Sequence, residues 1–172
     1  MTRRLRYAIL FAATMLVQTL FLDRLTLSVW FAPMIYMSVV ILLPVNSRAI
    51  VNLLVGLAAG MTADLLAGTE GLNTAAILVV SYIRRPLLEA IVGHEGMRDG
   101  SVPSAGTMGL RRFANYLVTM VFIHGAVFYL LEVFSVGHFG YTLLRFFAGT
   151  VSSLFFVWIT ALLFTRKNSA RV

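Results

Sequence analysis

The sequence predicts an all-α integral membrane protein of six transmembrane helices, a single membrane domain covering residues 1–172. Composition is the first observation: 59% of residues are hydrophobic, 12% are charged and the mean hydropathy is +0.88. An ordinary soluble domain carries about 25% charged residues, so a soluble globule is excluded. Length and segmentation are the second. A span needs about 20 mostly apolar residues, and apolar runs fall at 5–22, 27–43, 50–67, 72–92, 113–134 and 141–164. Polarity of the connections is the third, and it sets the orientation.

The first run follows Arg3, Arg4 and Arg6. A basic start before an apolar stretch resembles a secretory signal, but no small-x-small cleavage pattern precedes Asp23, so the run reads as a retained helix. The turn Asp23-Arg24-Leu25-Thr26 is short enough to force an antiparallel hairpin with the second run, which contains Pro33 and stops at Pro44. Proline lacks the amide a helix needs and restricts the residue before it. The third run is rich in glycine and alanine and ends in the turn Gly68-Thr69-Glu70-Gly71. The fourth meets Arg84-Arg85-Pro86, where the arginines are expected to snorkel to the membrane boundary. The stretch 93–110, with His94, Glu95, Arg98 and Asp99, is expected to be a mobile cytoplasmic loop; the fifth and sixth runs then close the bundle.

Six spans put both termini on one side. That side collects every Lys and Arg except Arg24 and Arg145, including the cytoplasmic basic set Arg84, Arg85, Arg98, Arg111 and Arg112. Basic loops resist translocation, so this side is cytoplasmic. The formal charge of +7 thereby reflects topology and contact with acidic lipid rather than nucleic acid. There are no cysteines, which removes disulfides, thiol chemistry and thiolate metal sites.

Within the third run Asn52, Gly56, Gly60 and Asp64 recur every four residues and share a stripe of the helix. Small residues at this spacing let helix backbones approach closely, either inside the chain or against a partner. Asp64 is the most informative residue, because a carboxylate in a span is costly and needs a partner. Arg145, Arg24 and the main-chain amides of the Gly68–Gly71 turn are the candidates, with a water-exposed helix end as the bland alternative. His124, near the middle of the fifth run, and Gln18, in the first, fit interhelical hydrogen bonds better than a proton relay or a ligand contact. No HExxH motif, paired carboxylates or glycine-flanked serine is present, so the chain reads as non-enzymatic, with no cofactor and no metal.

Read in order, these pieces resemble the rod shape-determining protein MreD family, particularly its form in Bacteroidetes-like bacteria. The resemblance runs through Gln18, Ala32-Pro33-Met34-Ile35-Tyr36, Leu43-Pro44 and Gly56-Leu57-Ala58-Ala59-Gly60-Met61-Thr62-Ala63-Asp64. It continues in Gly71-Leu72-Asn73-Thr74-Ala75-Ala76, Tyr82-Ile83-Arg84-Arg85-Pro86, Val121-Phe122-Ile123-His124 and Leu130-Leu131-Glu132. The chain departs from the family in carrying a second arginine where an aromatic usually stands, and Gly125 where a second histidine is expected. The resemblance implies a non-enzymatic inner-membrane component of the cell-elongation machinery that directs rod shape and peptidoglycan synthesis. Its implied partners are MreC, RodA and a class B penicillin-binding protein, with MreB indirectly. It also implies a fold similar to the membrane substrate-binding subunit of energy-coupling-factor transporters.

That likeness supplies an alternative, a membrane subunit that binds a vitamin, for which Ala8 and Ala12 have the alanine-xxx-alanine spacing of a coupling face. A third class, an ion-coupled carrier, would need Asp64 and His124 to face one aqueous cavity.

Overall fold

In the computed structural model residues 3–22, 33–93, 101–136 and 139–169 are described, and among them every regular element is helical. Helix α1 (Arg3–Val17) passes into a π-helical turn, Gln18–Leu22. A four-residue helix, α2 (Ser38–Ile41), precedes α3 (Ala49–Ala67) and α4 (Leu72–Val92). The short α5 (Ala105–Met108) leads into α6 (Leu110–Val136) and α7 (Phe139–Ser169). Three stretches, Ala49–Ala67, Leu110–Phe134 and Thr142–Thr165, are long and apolar enough to cross a membrane, and Leu5–Leu20 forms a shorter apolar helix.

The surface agrees with a lipid solvent. Large apolar side chains such as Leu65, Phe134 and Val151 point outward, while Gln18, Asn52, Asp64, Asn73, Arg84 and His124 are buried. A water-soluble protein rarely exposes so many large apolar side chains; here apolar side chains form the core and also cover much of the outside. Helical throughout the regular elements of its described residues, with three helices long and apolar enough to span a bilayer, the chain has the makeup of a helical membrane protein.

Small residues set the packing. Gly56 and Gly60 of α3 lie against α4, where a Cβ on Gly60 would stand 2.5 Å from Thr74 Cα and one on Gly56 would collide with Ser81 Oγ. A second tight crossing joins α6 to α7: a Cβ on Gly125 would stand 2.7 Å from Thr150 Oγ1, and Gly149 lies against the Tyr129 ring. The antiparallel turn between α3 and α4 closes through Gly68 and Gly71, at φ 68° and 85°, backbone conformations that only glycine adopts cheaply. At the opposite end the Tyr7 and Phe164 rings pack at a tilt, their centroids 5.5 Å apart, so the start of α1 and the end of α7 share one end of the bundle.

Two expectations are corrected. The second apolar run, expected as a span over 27–43, is not a continuous helix: residues 27–32 lie outside the described residues, and from 33 to 43 the chain forms turns around α2 alone. Pro33 and Pro44 bracket this segment and limit its helical hydrogen bonding. Every residue from 33 to 43 is nevertheless buried. The stretch 93–110, expected as a mobile loop, is ordered over 101–110, while 94–100, with Arg98, lie outside the described residues. Ser104 and Thr107 cap α5 reciprocally, Ser104 Oγ accepting from the Thr107 amide at 3.2 Å and Thr107 Oγ1 from the Ser104 amide at 3.1 Å. The Val45 amide donates to the Ser101 carbonyl at 2.9 Å, which ties this stretch to the broken segment.

Candidate functional site

A continuous helix satisfies its own backbone, but the segment 33–48 does so only in part, through turn bonds within 35–47, and inside the bundle, where 33–43 are buried, no bulk water is at hand to complete the rest. Non-helical backbone survives there only when protein groups take its place. Side chains from α1, α4, α6 and α7 do so here. Gln18 clamps the start, its Nε2 donating to the Pro33 carbonyl at 3.0 Å and its Oε1 accepting from the Ile35 amide at 2.8 Å. Ser153 Oγ accepts from the Met34 amide at 2.9 Å. Further along, Tyr116 donates to the Ile41 carbonyl at 2.9 Å and Tyr7 to the Leu42 carbonyl at 3.3 Å.

Arg84 completes the clamp. Rather than snorkelling to the boundary, as the sequence implies, it is fully buried. Its guanidinium donates to the carbonyls of Leu43 and Pro44 and, at 3.0 Å, to Ser47 Oγ. Ser47 in turn donates to Asn52 Oδ1 at 2.5 Å. Asn52 therefore belongs to the arginine cluster and not to the glycine packing seam above it. The reason for the burial is local: Arg84 falls on the face of α4 that also buries Ile77, Val80, Ser81 and Leu88, and the end of the broken segment offers it carbonyl oxygens. Arg85, on the other face, is exposed and pairs with Glu89 at 3.0 Å. Arg111 and Arg112 are exposed at the start of α6.

Asp64 anchors the other end. It is not paired with Arg145, and Arg24 lies outside the described residues. Its Oδ1 accepts from Thr69 Oγ1 at 2.5 Å and from the Asn73 amide at 3.0 Å; its Oδ2 accepts from the Thr74 amide at 2.9 Å and Thr74 Oγ1 at 2.5 Å. The expected glycine-rich turn thus supplies a hydroxyl, while the amides come from the first turn of α4. There the unsatisfied N–H groups and the helix dipole favour a negative charge. Arg145 instead donates to Glu132 Oε1 at 2.6 Å, linking α7 to α6.

Tyr36 joins the Asp64 end to His124 in the middle of α6. Asn73 Nδ2 donates to Thr69 Oγ1 at 2.8 Å, which leaves Asn73 Oδ1 to accept from the Tyr36 hydroxyl at 3.0 Å. The Tyr36 oxygen is 2.6 Å from His124 Nε2. Because the tyrosine proton is committed to Asn73, the pattern assigns the histidine proton to Nε2. Hydrogen bonds then point one way, from His124 through Tyr36, Asn73 and Thr69 to the Asp64 carboxylate, an arrangement in which each bond polarises the next. His124 is completely buried, and it meets Asp64 through this chain rather than across an open aqueous cavity.

The sequence singled out Gln18, Asp64, Arg84 and His124, and the structure brings all four around the segment 33–48. Tyr36, Asn73 and Ser153 it did not single out as individual residues, and Tyr116 reads from the sequence as an interfacial anchor rather than the buried donor to Ile41 that it is. A tyrosine or asparagine near a span end reads as an interfacial anchor or a turn, and only the broken backbone gives them a task. Ala8 and Ala12 lie on the exposed face of α1. Among the described residues no group of three or more His, Cys, Asp and Glu side chains comes together.

No family model, curated protein or solved structure matches the chain.

Proposed function

We propose that this chain is a non-enzymatic, multi-pass component of the cell-elongation machinery in a bacterial inner membrane, of the MreD kind. It crosses six times, five times as a helix and once as the broken segment, with the basic end and both termini in the cytoplasm. Its role is to hold MreC, RodA and a class B penicillin-binding protein together, with MreB reached indirectly.

One observation carries this reading: the separate stretches that resemble the family converge on one buried segment, 33–48. Gln18 with Pro33, Arg84 with Leu43 and Pro44, and His124, Tyr36, Asn73, Thr74 and Asp64 come from stretches scattered along the chain, yet each of these three sets of bonds holds part of the segment 33–48 against its surrounding helices. Such a network fixes the arrangement of the bundle rather than opening a path through it, which suits a scaffold. The exposed Arg48, Arg85, Arg111 and Arg112 lie at the end marked by Tyr7 and Phe164, and the positive-inside rule assigns that end to the cytoplasm.

The test is affinity purification of the tagged protein from its native membrane in mild detergent, with mass spectrometry of proteins and small molecules. Recovery of MreC and the elongation synthases is expected. Recovery of transporter ATPase subunits or a bound vitamin, without those proteins, would overturn the reading in favour of a transporter subunit.

A further inference from the structure

Helices α1 and α7 meet at Tyr7 and Phe164, and between them lies a cleft of about 470 Å³. Ile9, Ala13 and Val17 form one wall, Ile159 and Leu163 the other, and Ile35 of the broken segment the floor. Thr14 and Thr160 also line it, but their hydroxyls are spent on their own helices, on the Leu10 carbonyl at 2.8 Å and the Phe156 carbonyl at 2.9 Å. The lining therefore offers an occupant apolar contact and little hydrogen bonding. Arg6 stands at one end, its guanidinium carbon 5.3 Å from the centroid of the Phe164 ring, and among the described residues no carboxylate pairs with it.

We infer that this cleft holds one acyl chain of an anionic glycerophospholipid, with the headgroup phosphate on Arg6. Length selects a lipid over a helix. From Arg6 to Val17 the cleft follows α1 for roughly 16 Å at the helical rise, about half of the ~30 Å hydrocarbon core. That is the depth of one leaflet, the reach of one acyl chain, whereas a partner's transmembrane helix would need a groove through both leaflets. Charge selects the headgroup. The cation lies at the mouth, level with the end of the bundle where α1 begins and α7 ends, and it supplies the planar donor fork that phosphate accepts. Among the described residues that line the cleft, a water-soluble ligand would find no convergent polar groups inside.

The experiment is native mass spectrometry of the purified full chain, with added phosphatidylglycerol or phosphatidylcholine of identical acyl chains. Phosphatidylglycerol should be retained about fivefold more, the equivalent of one basic residue at an anionic surface, about 1 kcal/mol. Arg6→Gln should abolish that preference. Ala13→Trp should abolish retention of both lipids, while Val151→Trp, the same bulk on the exposed face of α7, should leave it unchanged. Equal retention of the two lipids by the unaltered chain, or unchanged retention in Ala13→Trp, would overturn the proposal. Because Ala13→Trp can also disturb folding, a photoreactive benzoylphenylalanine at Ile159 provides a second reading in native membranes. A phospholipid mass adduct is expected; a protein adduct would show that a partner helix fills the cleft and would refute the lipid assignment.

Discussion

Two glycines one helical turn apart on α3 should answer differently to the same added methyl group. A Cβ on Gly60 would stand 2.5 Å from Thr74 Cα and 3.0 Å from Thr74 N, both main-chain atoms. Ordinary contact begins near 3.4 Å, so α3 and α4 would have to separate by about 1 Å. That movement also draws Asp64 away from the Thr74 amide, now 2.9 Å distant. Overpacking of this kind costs about 1–3 kcal/mol, and a contact with backbone belongs at the upper end. The helix preference of alanine over glycine returns about 1 kcal/mol. Gly60→Ala should therefore lose roughly 2 kcal/mol net. At Gly56 the obstacle is the Ser81 hydroxyl, which donates to the Ile77 carbonyl at 2.7 Å, with Ser81 Cβ behind it at 3.2 Å. Gly56→Ala should cost less, and adding Ser81→Ala should relieve most of the loss, giving a coupling of about 1–2 kcal/mol. The same Ser81→Ala added to Gly60→Ala should couple by less than about 0.5 kcal/mol. Reversible unfolding in mixed detergent micelles measures the three single variants and the two double variants. Equal coupling of Ser81 to both glycines, or no loss in Gly60→Ala, would refute the assignment of the Gly56/Gly60 seam to α4.

The remaining predictions concern the buried network. Tyr36→Phe strands both His124 Nε2–H and Asn73 Oδ1, and should destabilise by about 2–4 kcal/mol, from the usual cost of each unsatisfied group; combined with His124→Phe the losses should be well short of additive in the same unfolding assay. Asp64→Ala leaves the Asn73 and Thr74 amides uncapped and should cost at least about 2 kcal/mol, while Asp64→Asn, which keeps one acceptor oxygen, should cost clearly less; equal losses would show that the amides are not what Asp64 serves. Arg84→Lys keeps the charge but cannot span Leu43, Pro44 and Ser47, so it should loosen the end of the broken segment. Limited proteolysis near residues 44–48 reads this out, and unaltered protection would contradict the clamp. Glu132→Gln should weaken the α6–α7 tie by about 1 kcal/mol or more, because a half-buried ion pair loses its charge-assisted bond.

Hydropathy made the helical membrane class legible, because burying charge in lipid is so costly that composition alone reports it. The positions of α3, α4, α6 and α7 were legible for the same reason: a helix is the form in which a long apolar run can satisfy its backbone without help from elsewhere in the chain. The stripe of Gly56 and Gly60 announced a close helix crossing, and the expense of Asp64 announced a partner. What the linear pattern could not supply was the identity of those partners. Hydropathy records how apolar a segment is and is blind to how its backbone is satisfied, so the run at 27–43 looked like a span although 33–43 is a broken segment. Whether a buried N–H is met by its own helix or by Gln18, Ser153 and Tyr116 depends on residues far away in the chain. The burial of Arg84, the choice of Asn73 and Thr74 over Arg145 for Asp64, and the bond from His124 to Tyr36 were likewise decided by tertiary structure. Each is a short-range contact between helices, and only packing brings those helices within hydrogen-bonding reach.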